Sequence, residues 1–139
     1  MKIFRNLRIF LIVLVLFLIF DGLVIGLFTS SFYSRELSNI ARMNNGMMEP
    51  KWLYVGIVYL ILSFGVSYYV ILKDEKTTEA AIFLKGVLFG LVIYGIYDIA
   101  NYSLLKDWTI NLIIVDVSWG AALCGAVALG SYMINQLLD

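Results

Sequence analysis

The chain has 139 residues, of which 62% are hydrophobic and 14% charged, and its mean hydropathy is +0.92. A soluble globular domain carries about 45–50% apolar and about 25% charged residues, so this composition excludes an ordinary soluble domain. The formal net charge is zero, which leaves no global field to attract nucleic acid. The lack of His removes imidazole catalysis, His-ligated haem and His-containing metal sites, and the single Cys124 can neither close an internal disulfide nor build a thiolate zinc site.

Ile9 to Phe20 is an unbroken apolar run that continues past Asp21 and Gly22 to Phe28. Lys2, Arg5 and Arg8 precede it, an arrangement shared with signal peptides. The apolar stretch is about twenty residues long and no small-x-small cleavage site follows closely, so it is read as a retained first span. Within the connection over 29–50, Tyr33, Leu37, Ile40 and Ala41 follow helical spacing, with Arg35, Ser38, Asn39 and Arg42 opposite. This predicts a short amphipathic helix at the membrane surface. Asn44-Asn45-Gly46 ends it by turn chemistry, and Pro50 stands where a helix can begin.

Trp52 to Leu72 contains no charge, Ile82 to Leu105 carries only Lys85 and Asp98, and Leu112 to Ile134 carries only Asp116. Lys73-Asp74-Glu75-Lys76 reads as a solvated turn between the second and third spans. Nothing resembles a strand pattern. The expected fold is therefore all-α: one domain over 1–139, an integral membrane bundle with spans at 7–28, 52–72, 82–105 and 109–134, plus the interfacial helix between the first two. Lys2, Arg5, Arg8, Lys73, Lys76 and Lys85 fall on one side, against Arg35, Arg42, Lys51 and Lys106 on the other. The positive-inside rule then puts both termini in the cytoplasm.

Carboxylates inside a membrane are costly and are functional candidates by default. Asp21 lies seven residues before Phe28 and Asp98 seven before Leu105, which puts each about 10 Å from the outer boundary. Asp116, eight residues after Trp108 on the descending fourth span, comes to about 12 Å. Tyr59, seven residues after Trp52, reaches the same layer. On the third span Gly86, Gly90, Tyr94, Tyr97, Asp98 and Asn101 share one face, small below and polar above. On the fourth, Asp116, Gly120 and Cys124 follow one ridge, with Trp119 a turn from Asp116. Gly86 with Gly90, and Gly22 with Gly26, read as small-residue pairs for close helix packing. The bland alternative is that the aspartates only clamp helices together. Tyr68 and Tyr69 read as an interfacial aromatic belt, and Cys124 as a packing residue.

Asp21-Gly22-Leu23-Val24-Ile25-Gly26 and Phe32-Tyr33-Ser34-Arg35-Glu36-Leu37 resemble the start of a family of small membrane proteins catalogued as domain of unknown function 2177. The resemblance extends through Gly86-Val87-Leu88-Phe89-Gly90 and Tyr94-Gly95-Ile96-Tyr97-Asp98-Ile99-Ala100-Asn101 to Trp108 and Asp116-Val117-Ser118-Trp119-Gly120. It implies a four-helix bacterial membrane protein, and it brings no activity with it. Val24 stands where members often carry Trp, and Ala100 where they often carry Thr.

Three functions remain open on the sequence. The first is a proton, cation or small-ligand site for transport or sensing, formed by Asp21, Asp98, Asp116, Asn101, Tyr94, Tyr97, Trp119 and Tyr59. The second is an accessory or assembly subunit of a larger membrane complex, a reading that a stable homo-oligomer would count against. The expected partners overall are the lipid bilayer and either other membrane proteins or copies of the chain itself. The third is a lipid-directed enzyme using a carboxylate pair, the weakest reading because no nucleophile motif or metal cluster accompanies it. No catalytic residue, metal or cofactor is assigned.

Overall fold

A computed structural model of the chain describes residues 1–74 and 76–139. Among them are four helices long and apolar enough to cross a membrane: Lys2–Glu36, Trp52–Ile71, Glu79–Leu104 and Ile110–Leu138. The first divides into α1 (Lys2–Val24), a π-helical stretch (Ile25–Thr29) and α2 (Ser30–Glu36). The second comprises α3 (Trp52–Gly65) and a π-helical end (Val66–Ile71), followed by a 3₁₀ turn (Leu72–Asp74). The third is α4 (Glu79–Leu104) and the fourth α5 (Ile110–Leu138). Glu75 of the expected solvated turn lies outside the described residues.

The helices run alternately up and down. At one end Arg8 of α1 meets Asn135 and Asp139, and the Tyr132 hydroxyl donates to the Thr77 carbonyl at 3.0 Å. At the other end the Thr109 hydroxyl donates to Glu36 at 2.6 Å. These are the termini end and the loop end. The Arg8 clamp takes two bonds to Asn135 Oδ1, at 3.1 and 2.8 Å, and pairs with the Asp139 carboxylate. Because the pair is partly solvated it holds the last turn without much global weight. Arg8→Ala is expected to speed amide exchange over residues 134–138 and to lower unfolding free energy by less than about 1 kcal/mol. Slower or unchanged exchange there would show that the clamp does not hold the last turn.

Local chemistry shifts several boundaries from the sequence expectation. Thr78 accepts from the Ala81 amide at 3.2 Å and Thr109 from Leu112 at 3.2 Å, so threonine N-caps start α4 and α5. The short helix after the first span begins at Ser30, earlier than the Tyr33–Ala41 pattern, and follows α1 through the π-helical stretch instead of a loop. There the Thr29 hydroxyl donates to the Val24 carbonyl five residues back, at 3.3 Å, matching the π spacing. Leu37 and Ile40 lie beyond it in turns and pack on Tyr33, Trp108 and Leu112. Asn45 at φ 50° and Gly46 at φ 78° form a two-residue hairpin turn between β1 (Met43–Asn44) and β2 (Met47–Met48). These two-residue strands were not expected from the hydropathy pattern; turn geometry, not periodicity, makes them.

The two surfaces are inverted relative to a soluble protein. Leu11, Val15, Leu18, Leu84, Leu88, Ile96 and Ile114 point outward, while Asp21, Ser63, Ser67, Asp98 and Ser131 are buried. Hydrocarbon solvates the first set as well as a core would, and the polar groups are left to find partners inside. The core runs through Val13, Phe17, Val66, Ile82, Leu123 and Val127. α1 packs on α3 and α5, and α5 packs most extensively on α4.

That last interface is made of glycine. A Cβ on Gly86 would lie 2.9 Å from Gly125 Cα, and one on Gly90 would meet the Gly120 carbonyl oxygen and Ala121 Cα. Backbone therefore lies against backbone, as small-residue spacing allows. Gly22 and Gly26 correct the expectation of a second such pair. Both are exposed and no described atom lies within 4 Å of either added Cβ, so they pack nothing within the chain.

Candidate functional site

The layer of polar side chains lies toward the loop end and contains two adjoining constellations. Asp21 is buried on α1, about two turns before the π-helical stretch ends. It accepts from Trp119 Nε1 at 2.8 Å and from the Tyr59 hydroxyl. One carboxylate thus ties α1 to α3 and α5 at a single depth. This grouping follows from alternating helix direction: residues far apart in the chain come level when measured from opposite ends.

The second constellation joins Asp98 and Asp116. Asp98 is fully buried on α4, and Trp108 folds back from the α4–α5 connection to donate from Nε1 to Asp98 Oδ1 at 3.2 Å. Asp98 Oδ2 is buried and meets no N–H or hydroxyl donor among the described residues. Asp116, half-buried on α5, is the neighbouring carboxyl group that bears most strongly on Asp98. Its Oδ1 accepts from the Tyr33 hydroxyl at 2.6 Å. Tyr33 reaches it because the π-helical stretch and α2 carry the first helix over the start of α5, where Tyr33 packs with Trp108 and Leu112.

The remaining sequence-predicted residues sort differently. Tyr94 lies half-buried between the constellations, within electrostatic reach of Asp21 and Asp116, with its ring against Gly120. Tyr97 points largely outward, 57% exposed, and packs edge-on against Trp108 at 5.7 Å. Asn101 neighbours the Tyr97 hydroxyl and bonds to no aspartate among the described residues, so these two form the rim of the layer. Tyr33 and Trp108 are the members that helical-face reasoning missed. Tyr33 lies beyond the first apolar run and Trp108 in a connection, so neither falls on a span face. The signal that touches both is the family resemblance, whose motifs include them.

A polar layer of this kind can hold a proton, a cation or a donor-rich small molecule, since its acceptors outnumber the donors aimed at them. Among the described residues no three Cys, Asp or Glu side chains converge as metal ligands. Between α3 and α4 a cavity of about 310 Å³ is lined by Val58, Leu62, Ile93, Tyr94, Tyr97 and Asp116. Larger hollows near Lys2, Arg5 and Arg8, and around Ser103 to Lys106, lie at the two surfaces of the bundle and away from the buried carboxylates.

No curated protein and no solved structure matches this chain. A family model does, over residues 6–133, and its span takes in Asp21, Tyr33, Asp98, Trp108 and Asp116 alike. The chain belongs to the family of predicted membrane proteins described as DUF2177.

Proposed function

We propose that the carboxylate layer is a binding site for a proton, a cation or a small donor-bearing ligand, serving transport or sensing. The supporting observation is the buried Asp98 Oδ2, which meets no described N–H or hydroxyl donor, on a carboxyl group within hydrogen-bonding reach of Asp116. A polar atom left bare in a low-dielectric interior costs free energy, and more so when two acids adjoin. A bound proton or a ligand donor between them removes both penalties. Asp21, with two donors, holds the three helices in place around that pair, and Tyr94 separates the two groups.

The orientation that goes with this reading has both termini in the cytoplasm of a bacterial inner membrane, so the layer lies in the outer half. The test is native mass spectrometry of the protein extracted gently from its own membrane. A small molecule retained by the wild type and lost from Asp98→Asn is the expected result. Identical spectra, together with unchanged cation-dependence of thermal stability in Asp98→Asn and Asp116→Asn, would overturn it.

A second reading, an accessory subunit of a larger complex, draws on the exposed Gly22–Gly26 face of α1. Small residues there leave room for a helix from another chain. A stoichiometric protein partner in the same spectra, released by Gly26→Leu, would favour it.

A further inference from the structure

We infer that the groove between α3 and α4 admits a lipophilic monocation from the bilayer, an ammonium bearing a hydrocarbon substituent. The inference rests on reading the carboxylate layer as a binding site, and it names the ligand class and the route of entry. α1 closes against α3 and α5, and α5 against α4, so the remaining seam of the bundle is the one between α3 and α4. At the termini end the π-helical stretch Val66–Ile71 packs on α4 and α5, and the Phe89 ring fills the space beside Gly65. Toward the loop end the same seam opens into the 310 Å³ cavity. That size is at the lower end of volumes, about 300–1,000 Å³, that hold small ligands.

Its lining states what fits. Val58 and Ile93 are exposed on the outer surface of the bundle, so the mouth faces the hydrocarbon that surrounds a membrane-spanning chain. Anything entering there must already be dissolved in the bilayer. Tyr97 adds an aromatic ring at the mouth; deeper in, Leu62 is apolar, Tyr94 contributes a ring, and Asp116 supplies a carboxylate. The groove's lining offers one carboxylate and two tyrosines beside three aliphatic side chains, so an inorganic ion that shed its water there would regain few oxygens. A substituted ammonium carries a diffuse, weakly hydrated charge. Aromatic faces and one carboxylate stabilise it, while its hydrocarbon part lies on Val58 and Leu62. An anion would face Asp116, with Asp98 behind it.

The experiment uses the full chain in phosphatidylcholine nanodiscs, with radiolabelled n-octyltrimethylammonium as probe and empty nanodiscs subtracted. Tetramethylammonium is the comparison that has the charge without the tail. The wild type is expected to bind octyltrimethylammonium saturably, one per chain. Tetramethylammonium and the Asp116→Asn variant are each expected to bind about tenfold more weakly or less. Ile93→Trp and Val58→Trp fill the mouth from exposed positions that bear no buried packing, and each is expected to reduce binding while leaving Asp116 in place. If both cations bind equally and the mouth variants bind like wild type, the lateral groove is overturned while a cation site in the carboxylate layer stands. If octyltrimethylammonium shows no saturable binding, the inference is overturned as well. The carboxylate-layer reading itself then depends on the Asp98→Asn comparison by mass spectrometry.

Discussion

Replacing Gly90 by Ala is expected to destabilise the bundle by about 1–3 kcal/mol, the usual cost of an overpacked contact. The added methyl has no side-chain tip to push aside. It meets the Gly120 carbonyl oxygen, and Ala121 Cα at 2.8 Å, so the whole of α4 must move off α5. That displacement also disturbs Gly86 against Gly125, one turn below, and Tyr94 against Gly120, one turn above. In water Gly→Ala inside a helix gains up to about 1 kcal/mol in propensity, so a net loss isolates the packing term. Gly95→Ala on the same helix is the internal control, because no described atom lies within 4 Å of its Cβ position. Denaturant unfolding in phosphatidylcholine bicelles should separate the two variants. Equal stability for Gly90→Ala and Gly95→Ala would mean that backbone contact does not hold α4 to α5.

The second large effect concerns Asp21. Asp21→Ala removes the acceptor of both Trp119 Nε1 and the Tyr59 hydroxyl, leaving two donors in the interior. Orphaned buried donors cost about 1–3 kcal/mol each in water-soluble proteins. Hydrogen bonds between membrane helices average nearer 0.6 kcal/mol, so a total of about 1–2 kcal/mol is expected. Asp21→Asn keeps one acceptor oxygen and should recover about half of the loss. Because Asp21 already carries two donors, neither change should abolish ligand retention in the way Asp98→Asn does. Nearly wild-type stability of Asp21→Ala under the same unfolding protocol would show that the three-helix tie is dispensable. Loss of ligand on Asp21→Asn, with stability kept, would move the binding role from Asp98 to Asp21.

Much of this arrangement is legible in the chain because a bilayer imposes few choices. Apolar runs of about twenty residues must be helices, and the short connections make neighbours antiparallel. Depth then follows from counting: Asp21, Asp98 and Asp116 come level because each lies a similar distance from the loop end. Gly86 and Gly90 share a face with Asp98, and that face does pack closely on α5.

Other features were decided by contacts that periodicity does not encode. Gly22 and Gly26 have the same spacing as Gly86 and Gly90, yet they face away from the rest of the chain. Spacing fixes a stripe on a helix, whereas rotation about the helix axis is set by what the other helices bury, here Asp21 on the adjacent face. Tyr97 likewise falls on the polar stripe by angle, but the interior has room at that height for Asp98 and the returning Trp108 ring, which turns Tyr97 outward.

The sequence by itself determined the helices and their alternation, because the cost of unpaired backbone in hydrocarbon leaves a long apolar run no other form, and the 1.5 Å helical rise led from there to the expectation of a common layer for the three acids. The tertiary structure alone decided which donor serves which acid. Tyr33 reaches Asp116 only because the first helix continues through a π-helical stretch over α5, and Trp108 reaches Asp98 only because a short connection folds back. Those two bonds depend on the directions of a bend and a turn, set by packing around Leu112, and no periodicity within a single helix carries that information.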